Sequence, residues 1–242
     1  MSEAGRATGV RARARAEMTQ EILDVAREQL AAQGAGGLSL RAVARDVGMV
    51  SSAIYRYFES RDALLTALIV DAYNSLGQTV EVAEAACDRD DLVGRLHAVA
   101  QAVRSWAHVN PHLYALVYGS PVPGYAAPQD TVLPAIRSTT VLAGIVSDAA
   151  RRSVSASGSD SKPWEEAQLS RDVIWAIAPL AEFLGPQASS ELAVRSLMTW
   201  TGIFGFVSFE LFGQMHRAVE PDGRDAVFAA EVDRWAGWLG LP

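Results

Sequence analysis

Glycine cuts the stretch from Met18 to Phe58 into three short amphipathic segments, a pattern that leaves few folds open. Ile22, Leu23, Val25, Ala26 and Leu30 recur at helical spacings of three and four and stop at Gly34, Gly36 and Gly37. A second segment, Leu40 to Val47, follows Ser39 as its cap, carries Leu40, Val43, Ala44 and Val47 on one face, and ends at Gly48. The third, Ala53 to Phe58, reads as another short helix closed at Glu59-Ser60. Ser60 then caps a longer helix from about Arg61 into the mid-80s. Asp62 in its first turn suits the dipole, and Leu64, Leu65, Leu68 and Tyr73 share one side.

Two short helices joined by a glycine turn and propped by a longer helix make a helix-turn-helix. Gly48 supplies the positive φ that the turn needs. Ser51, Ser52 and Ala53 are small enough, at the start of the following helix, for backbone to approach base edges. Arg41 and Arg61 sit where cations clamp phosphates, contacts that add affinity without reading sequence.

Charge narrows the partner. The 242 residues hold 21 Lys+Arg against 28 Asp+Glu, a net charge of −7, so a generally basic nucleic-acid coat is excluded and any such contact is local. Residues 1–70 carry 9 Arg against 8 acids, whereas residues 71–242 carry 12 basic against 20 acidic residues. Residues 1–16 hold Arg6, Arg11, Arg13 and Arg15 with one acid, Glu3, and read as a disordered basic arm; a cloning remnant or a plain solubilising tail fits them as well. No apolar run follows these arginines, against a secretory leader. Cys87 is the single cysteine, which excludes an intramolecular disulfide and a cysteine-built zinc site and fits a reducing, cytoplasmic compartment. The longest uncharged apolar run, Ser196 to Phe209, has 14 residues and reads as a buried core helix, short of the roughly 20 that a membrane span needs.

The run Leu38-Ser39-Leu40-Arg41-Ala42-Val43-Ala44-Arg45-Asp46-Val47-Gly48-Met49, followed by Ser51-Ser52-Ala53-Ile54-Tyr55-Arg56-Tyr57-Phe58 and Arg61-Asp62-Ala63-Leu64-Leu65, resembles the TetR family of bacterial transcriptional repressors over residues 18–68. The resemblance implies an all-helical homodimer with an N-terminal DNA-binding domain and a larger C-terminal domain that binds a small ligand and dimerises. It implies that Arg41 contacts phosphate or base, and that Ser51, Ser52 and Ala53 face the bases. Tyr55 would touch phosphate and a thymine methyl, Tyr57 a second phosphate, and Arg61 a phosphate at the start of the fourth helix. Family members often carry glutamine, proline or threonine near Ser51 to Ala53; three small residues here shift readout toward Arg41 and DNA shape. As plain residues, Tyr55 and Tyr57 also fit core aromatics, although two positions apart on a helix they cannot be buried equally. Arg41 and Arg61 also fit solvated charges, and Phe58 reads as core.

Further on, helical patterns run over about residues 89–109 and from Asn110-Pro111 onward. The breaker-rich stretch Gly119 to Pro134 reads as a long loop of the functional kind. Ser153 to Pro163 reads as a polar linker, followed by helices over about residues 164–184, 188–216 and 223–239. Leu197 to Phe212 is apolar nearly all round, which predicts burial on every side. Asn110-Pro111-His112-Leu113-Tyr114, the proline loop and Trp200-Thr201-Gly202-Ile203-Phe204-Gly205 resemble a C-terminal domain common in actinobacterial regulators. In the TetR family the two penultimate helices form a four-helix bundle across the dimer.

Trp106, Tyr114, Tyr118, Trp175, Phe183, Trp200 and Phe204 are candidate walls of a ligand cavity, since such cavities are mostly apolar; ordinary core positions explain them too. The cations near these clusters, Arg104, Arg137, Arg171 and Arg195, are few, which favours an apolar or neutral ligand gated by the Gly119 to Pro134 loop. His97, His108, His112 and His216 make no metal pair, because Pro111 interrupts the spacing between His108 and His112. Neither a glycine-rich phosphate loop nor a nucleophile elbow occurs.

The expected protein is all-α, with a basic arm over residues 1–16, a helix-turn-helix domain over 17–62, and a ligand-binding and dimerisation domain over 63–242. A long helix joins the two domains. The expected function is a ligand-responsive repressor that binds a palindromic operator in double-stranded DNA as a homodimer and is released by a small effector. No catalytic residue, metal, cofactor or membrane partner is expected. The alternative is an enzyme or small-molecule carrier that happens to contain a helical hairpin; it lacks a catalytic constellation.

Overall fold

The structure is a computed structural model that describes residues 3–156 and 169–242. Among the described residues all regular structure is helical. Nine α-helices follow one another: α1 Glu3–Gly37, α2 Leu40–Asp46, α3 Arg61–Ala85, α4 Leu92–Val109, α5 Pro111–Tyr118, α6 Val132–Ala156, α7 Arg171–Leu184, α8 Ser190–Leu211 and α9 Arg224–Leu239. Of the linker expected over Ser153 to Pro163, residues 153–156 continue α6 and the remainder lies outside the described residues. The chain divides into two compact units. The first comprises Met1–Tyr73 and Asn110–Pro134; the second comprises Asn74–Val109 and Ala135–Pro242.

In the first unit, Ile22, Leu23 and Ala26 of α1, Leu40, Val43 and Ala44 of α2, Ile54 and Phe58, and Leu64, Leu65 and Leu68 of α3 close one core. Each large aliphatic side chain so buried contributes about 1.5–3 kcal/mol relative to leaving it in water. The arm expected to be disordered is instead helical from Glu3, continuous with the rest of α1. Alanine and arginine are among the best helix formers, and nothing between Val10 and Ala16 interrupts the turn. Regular helix ends at Gly34, whose φ is 69°.

Gly48, at φ 78°, closes α2 in a Schellman motif, with Met49 N–H donating to the Ala44 carbonyl at 2.7 Å and Gly48 N–H to that of Arg45 at 3.0 Å. Ser39 holds the cap position of α2 in extended conformation without a side-chain bond, whereas the Ser60 hydroxyl caps α3 by accepting from Ala63 N–H at 3.0 Å.

Sequence separation hides one member of this unit. Leu116 and Val117 of α5, with Val122 and Tyr125 of the following loop, pack on the same core, and the Tyr125 and Thr66 hydroxyls lie 2.9 Å apart. The expected long loop is thus strapped down, and it ends early in a 3-10 turn, Gln129–Thr131, before α6. Pro134 falls in the first turn of α6, where no helical N–H partner is required.

The second unit is built on α4, whose Leu96, Val99, Val103 and Trp106 are buried, together with buried residues of α6, α8 and α9. Arginines cross-link it. Arg104 donates from Nε and Nη2 to both Glu210 oxygens at 2.7 and 2.8 Å and meets Asp225 at 2.7 Å. With side chains 7% and 3% exposed, Arg104 and Glu210 form a buried pair. The guanidinium holds the Glu210 carboxyl below the usual carboxylate range, against the opposing effect of burial, and His108 at 3.1 Å adds to the lowering. Arg95 likewise bridges Glu84 and Asp148 at 2.6 and 2.7 Å.

Two stretches, Gln129–Arg152 and Ser190–Leu211, are long and apolar enough to cross a membrane by length and composition. The second, α8, carries Glu191 and Glu210 buried against Arg195 and Arg104, the pattern of a core helix. Burial on every side of α8 is not what forms: Leu197, Met198, Phe209 and Phe212 are exposed. Neighbouring helices cover only part of its circumference.

Candidate nucleic-acid interface

Ala53 to Phe58 do not form the short α-helix expected of them. They make a succession of turns around a 3-10 turn, Ile54–Arg56, held by Arg56 N–H to Ala53 O at 3.1 Å and Tyr57 N–H to Ile54 O at 2.9 Å. So short a segment tightens into i to i+3 bonds, and its orientation is set from beneath by Ile54 and Phe58, both buried. Ser51, Ser52 and Tyr55 therefore face outward, Tyr55 at 49% exposure, and Ala53 is half-buried. On α2, Leu40, Val43 and Ala44 point inward, which leaves Arg41 exposed.

Two expected contacts sit differently. Tyr57 is half-buried against the core, and its ring lies beneath the Arg15 guanidinium, 5.3 Å from centroid to Cζ. Arg61 is turned into the fold: Nη2 donates to the Ala35 carbonyl at 2.6 Å and Nε to the Leu38 carbonyl at 3.1 Å, with Asp62 at 3.5 Å. These two main-chain bonds tie the start of α3 to the end of α1. Arg15 was not among the expected contacts, yet its Nη2 donates to the Arg56 carbonyl at 2.7 Å, directly on the recognition turn. The signal was the run of arginines at helix-forming positions.

The seven candidate cavity residues separate. Tyr114, fully buried, and Tyr118 lie with tilted rings 5.0 Å apart in the first unit, with Tyr73 edge-on to Tyr118 at 6.0 Å. In the second unit Trp106 is buried and donates from Nε1 to Ser75 Oγ at 2.9 Å, and Trp200 packs on Phe204 at 4.4 Å. Trp175 and Phe183 line no interior of the chain. They stand on α7 at 81% and 48% exposure, because of that helix only Leu184 is buried.

Comparison with known proteins agrees with this architecture. Residues 22–68 match the family described as bacterial regulatory proteins, tetR family, and residues 96–235 match the tetracyclin repressor-like C-terminal domain. Over 213 residues, 85% of this chain and 86% of the relative, the protein is 40% identical to the HTH-type transcriptional regulator Rv1816 of Mycobacterium tuberculosis. The crystal structure of the protein SCO4313 superposes with a TM-score of 0.72 at 32% identity, covering 93% of this chain and 98% of the other. A protein of unknown function from Rhodococcus sp. RHA1 does so with a TM-score of 0.64 at 26% identity, covering 92% and 94%. The exposed recognition turn on a buried three-helix core and the matches across both parts of the chain lead to one conclusion: the chain belongs to the TetR family of bacterial transcriptional regulators, DNA-binding proteins that are not enzymes.

Proposed function

We propose that the protein is a cytoplasmic, ligand-responsive repressor that binds a palindromic operator as a homodimer and leaves it when a small apolar or neutral effector binds. The observation that carries the DNA reading is the recognition turn, where Ile54 and Phe58 are buried beneath while Ser51, Ser52 and Tyr55 face out beside Arg41. Small side chains there let backbone approach base edges, and the tyrosine and arginine supply positioning contacts.

Support for the dimer comes from α7 and α8. Trp175, Ile174 and Phe183 of the first, Met198 and Phe209 of the second, and Phe212 at the second's C-terminal cap are exposed large apolar side chains, a concentration that marks an interaction surface. A second copy of the same two helices would cover it.

Charges already committed support the reading of the effector. Arg104 is paired with Glu210, Arg137 with Glu81 and Arg195 with Glu191, so three of the four cations near the aromatic clusters already have a carboxylate partner. A buried anion without a cation to meet it costs several kcal/mol, which disfavours a multiply charged effector. The effector acts by binding the conformation that does not fit DNA more tightly than the one that does.

The test begins with selection of a duplex from a random pool by the full-length protein. A symmetric site, a dimer by sedimentation, and release of that duplex by apolar compounds in a gel-shift screen are expected. Release by polyanionic metabolites alone would overturn the effector class, and an asymmetric site bound by a monomer would overturn the assembly.

A further inference from the structure

From Gly9 to Glu17 every residue of α1 is exposed, and full burial begins at Ile22. This part of the helix has no core of its own, but it is tied to the recognition turn: Arg15 donates to the Arg56 carbonyl at 2.7 Å and lies over the Tyr57 ring at 5.3 Å. Both partners are uncharged, so the positive charge of Arg15 stands undiminished beside that turn. Arg11, four residues earlier, lies on the same helical face, about 6 Å farther along the axis. Side chains lean toward a helix's N-terminus, which carries Arg11 farther still past the turn. Arg13 lies about 160° round the helix from Arg15. Between Ala4 and Ala16 the sequence holds four arginines and no acid, in a chain whose net charge is −7.

We propose that the exposed N-terminal part of α1 is a second DNA-contacting element, in which Arg15 and Arg11 grip backbone phosphates flanking the bases that face Ser51, Ser52 and Tyr55. The proposal rests on the reading above, that the recognition turn enters the groove. Arg15 sets the direction. By locking the arm to the turn, it makes the charge on the arm continuous with the surface that meets the groove, where phosphates run along both edges. Such contacts lengthen the bound site and raise affinity without adding sequence preference.

The test uses the full-length protein and the duplex that it selects from a random pool, prepared as the selected site alone and with about ten base pairs, one helical turn, of arbitrary sequence added at each end. The unaltered protein is expected to bind the extended duplex about tenfold more tightly at low salt, and Arg11→Gln to lose that gain. The slope of log K against log salt concentration should fall by about 1.8 in Arg11→Gln, at about 0.9 for each of two phosphates per dimer. Arg13→Gln should stay close to the unaltered protein, and the selected sequence should be the same for all three. Glutamine is a good helix former and residue 11 is exposed, so circular dichroism should show the fold retained. An unchanged slope and length dependence in Arg11→Gln, an equal loss in Arg13→Gln, or a changed selected sequence would each overturn the proposal alone. Failure of the unaltered protein to select any duplex would overturn the DNA reading and the arm's role with it.

Discussion

The Arg61 guanidinium reaches back to the Ala35 carbonyl at 2.6 Å, so the first residue of α3 seals the far end of α1. Its second bond, to the Leu38 carbonyl at 3.1 Å, fixes the link into α2 as well. A residue whose place in the sequence suggests a phosphate clamp therefore acts as a clasp between three helices.

Arg61→Ala leaves both carbonyls without this donor, and hydrogen bonds to a charged group are worth about 1.5–3 kcal/mol. Chemical denaturation should show a loss of that order, partly restored by Arg61→Lys, which keeps one point donor but not the fork. The salt dependence of DNA binding should not change. A variant of full stability whose slope fell by one phosphate per protomer would return Arg61 to the interface.

Tyr55 and Tyr57 should separate in the same pair of assays. Tyr55 is 49% exposed, so Tyr55→Ala should shift stability by no more than about 0.5 kcal/mol while weakening duplex binding about tenfold or more. Tyr57→Ala removes a ring packed on the core and under Arg15, so its loss should appear first as a lower denaturation midpoint.

Acid sensitivity should trace to the arginine-paired carboxylates. Glu210 titrates below its ordinary value because of Arg104, and Glu81 because of Arg137; at Glu84 burial pushes upward, but Arg89 and Arg95 outweigh it. A depressed carboxylate contributes its full stability above the unfolded value, near 4.5, and loses that contribution as pH falls through the folded one. Glu210→Gln removes the bidentate carboxylate from buried Arg104 and leaves it Asp225 alone, at a cost of about 1.5–3 kcal/mol at neutral pH. Urea titrations from pH 7 to pH 3 should show the gap between the two proteins constant above about pH 5 and narrowing below it. A gap independent of pH would sink the assignment.

Two glycines of α8 should behave oppositely. A Cβ on Gly202 would lie 2.9 Å from Trp235 Cζ2, so Gly202→Ala should strain the packing of α8 on α9, at about 1–3 kcal/mol. A Cβ on Gly205 meets nothing within 4 Å, although Gly205 shares a stripe with exposed Met198, Phe209 and Phe212. Gly205→Leu should leave unfolding of the chain unaltered and change only the sedimentation of the proposed dimer. A destabilised chain without altered assembly would place the interface elsewhere.

Much of the first unit was legible in order of residues, because its determinants are local. The stripe Leu40, Val43, Ala44, the positive φ at Gly48 and the cap at Ser60 are each decided within a few positions, and each forms in the structure. Phe58 reads as core from the sequence and is buried, and Tyr55 and Tyr57, two positions apart, are unequally buried as their spacing requires. What the linear order could not reveal was set by partners distant along the chain. Arg61 turns inward because carbonyls 23 and 26 residues earlier lie within its reach. Arg15 meets the turn around Arg56 because the chain returns to it 41 residues later. Tyr125 joins the first core because Thr66, 59 residues earlier, offers a hydroxyl. Trp175 stands on a more apolar helix than Trp106 does, yet it is 81% exposed and Trp106 4%. Hydrophobicity fixes the tendency to leave water, and only the packing of whole helices decides which faces find cover within the chain and which are left for a partner.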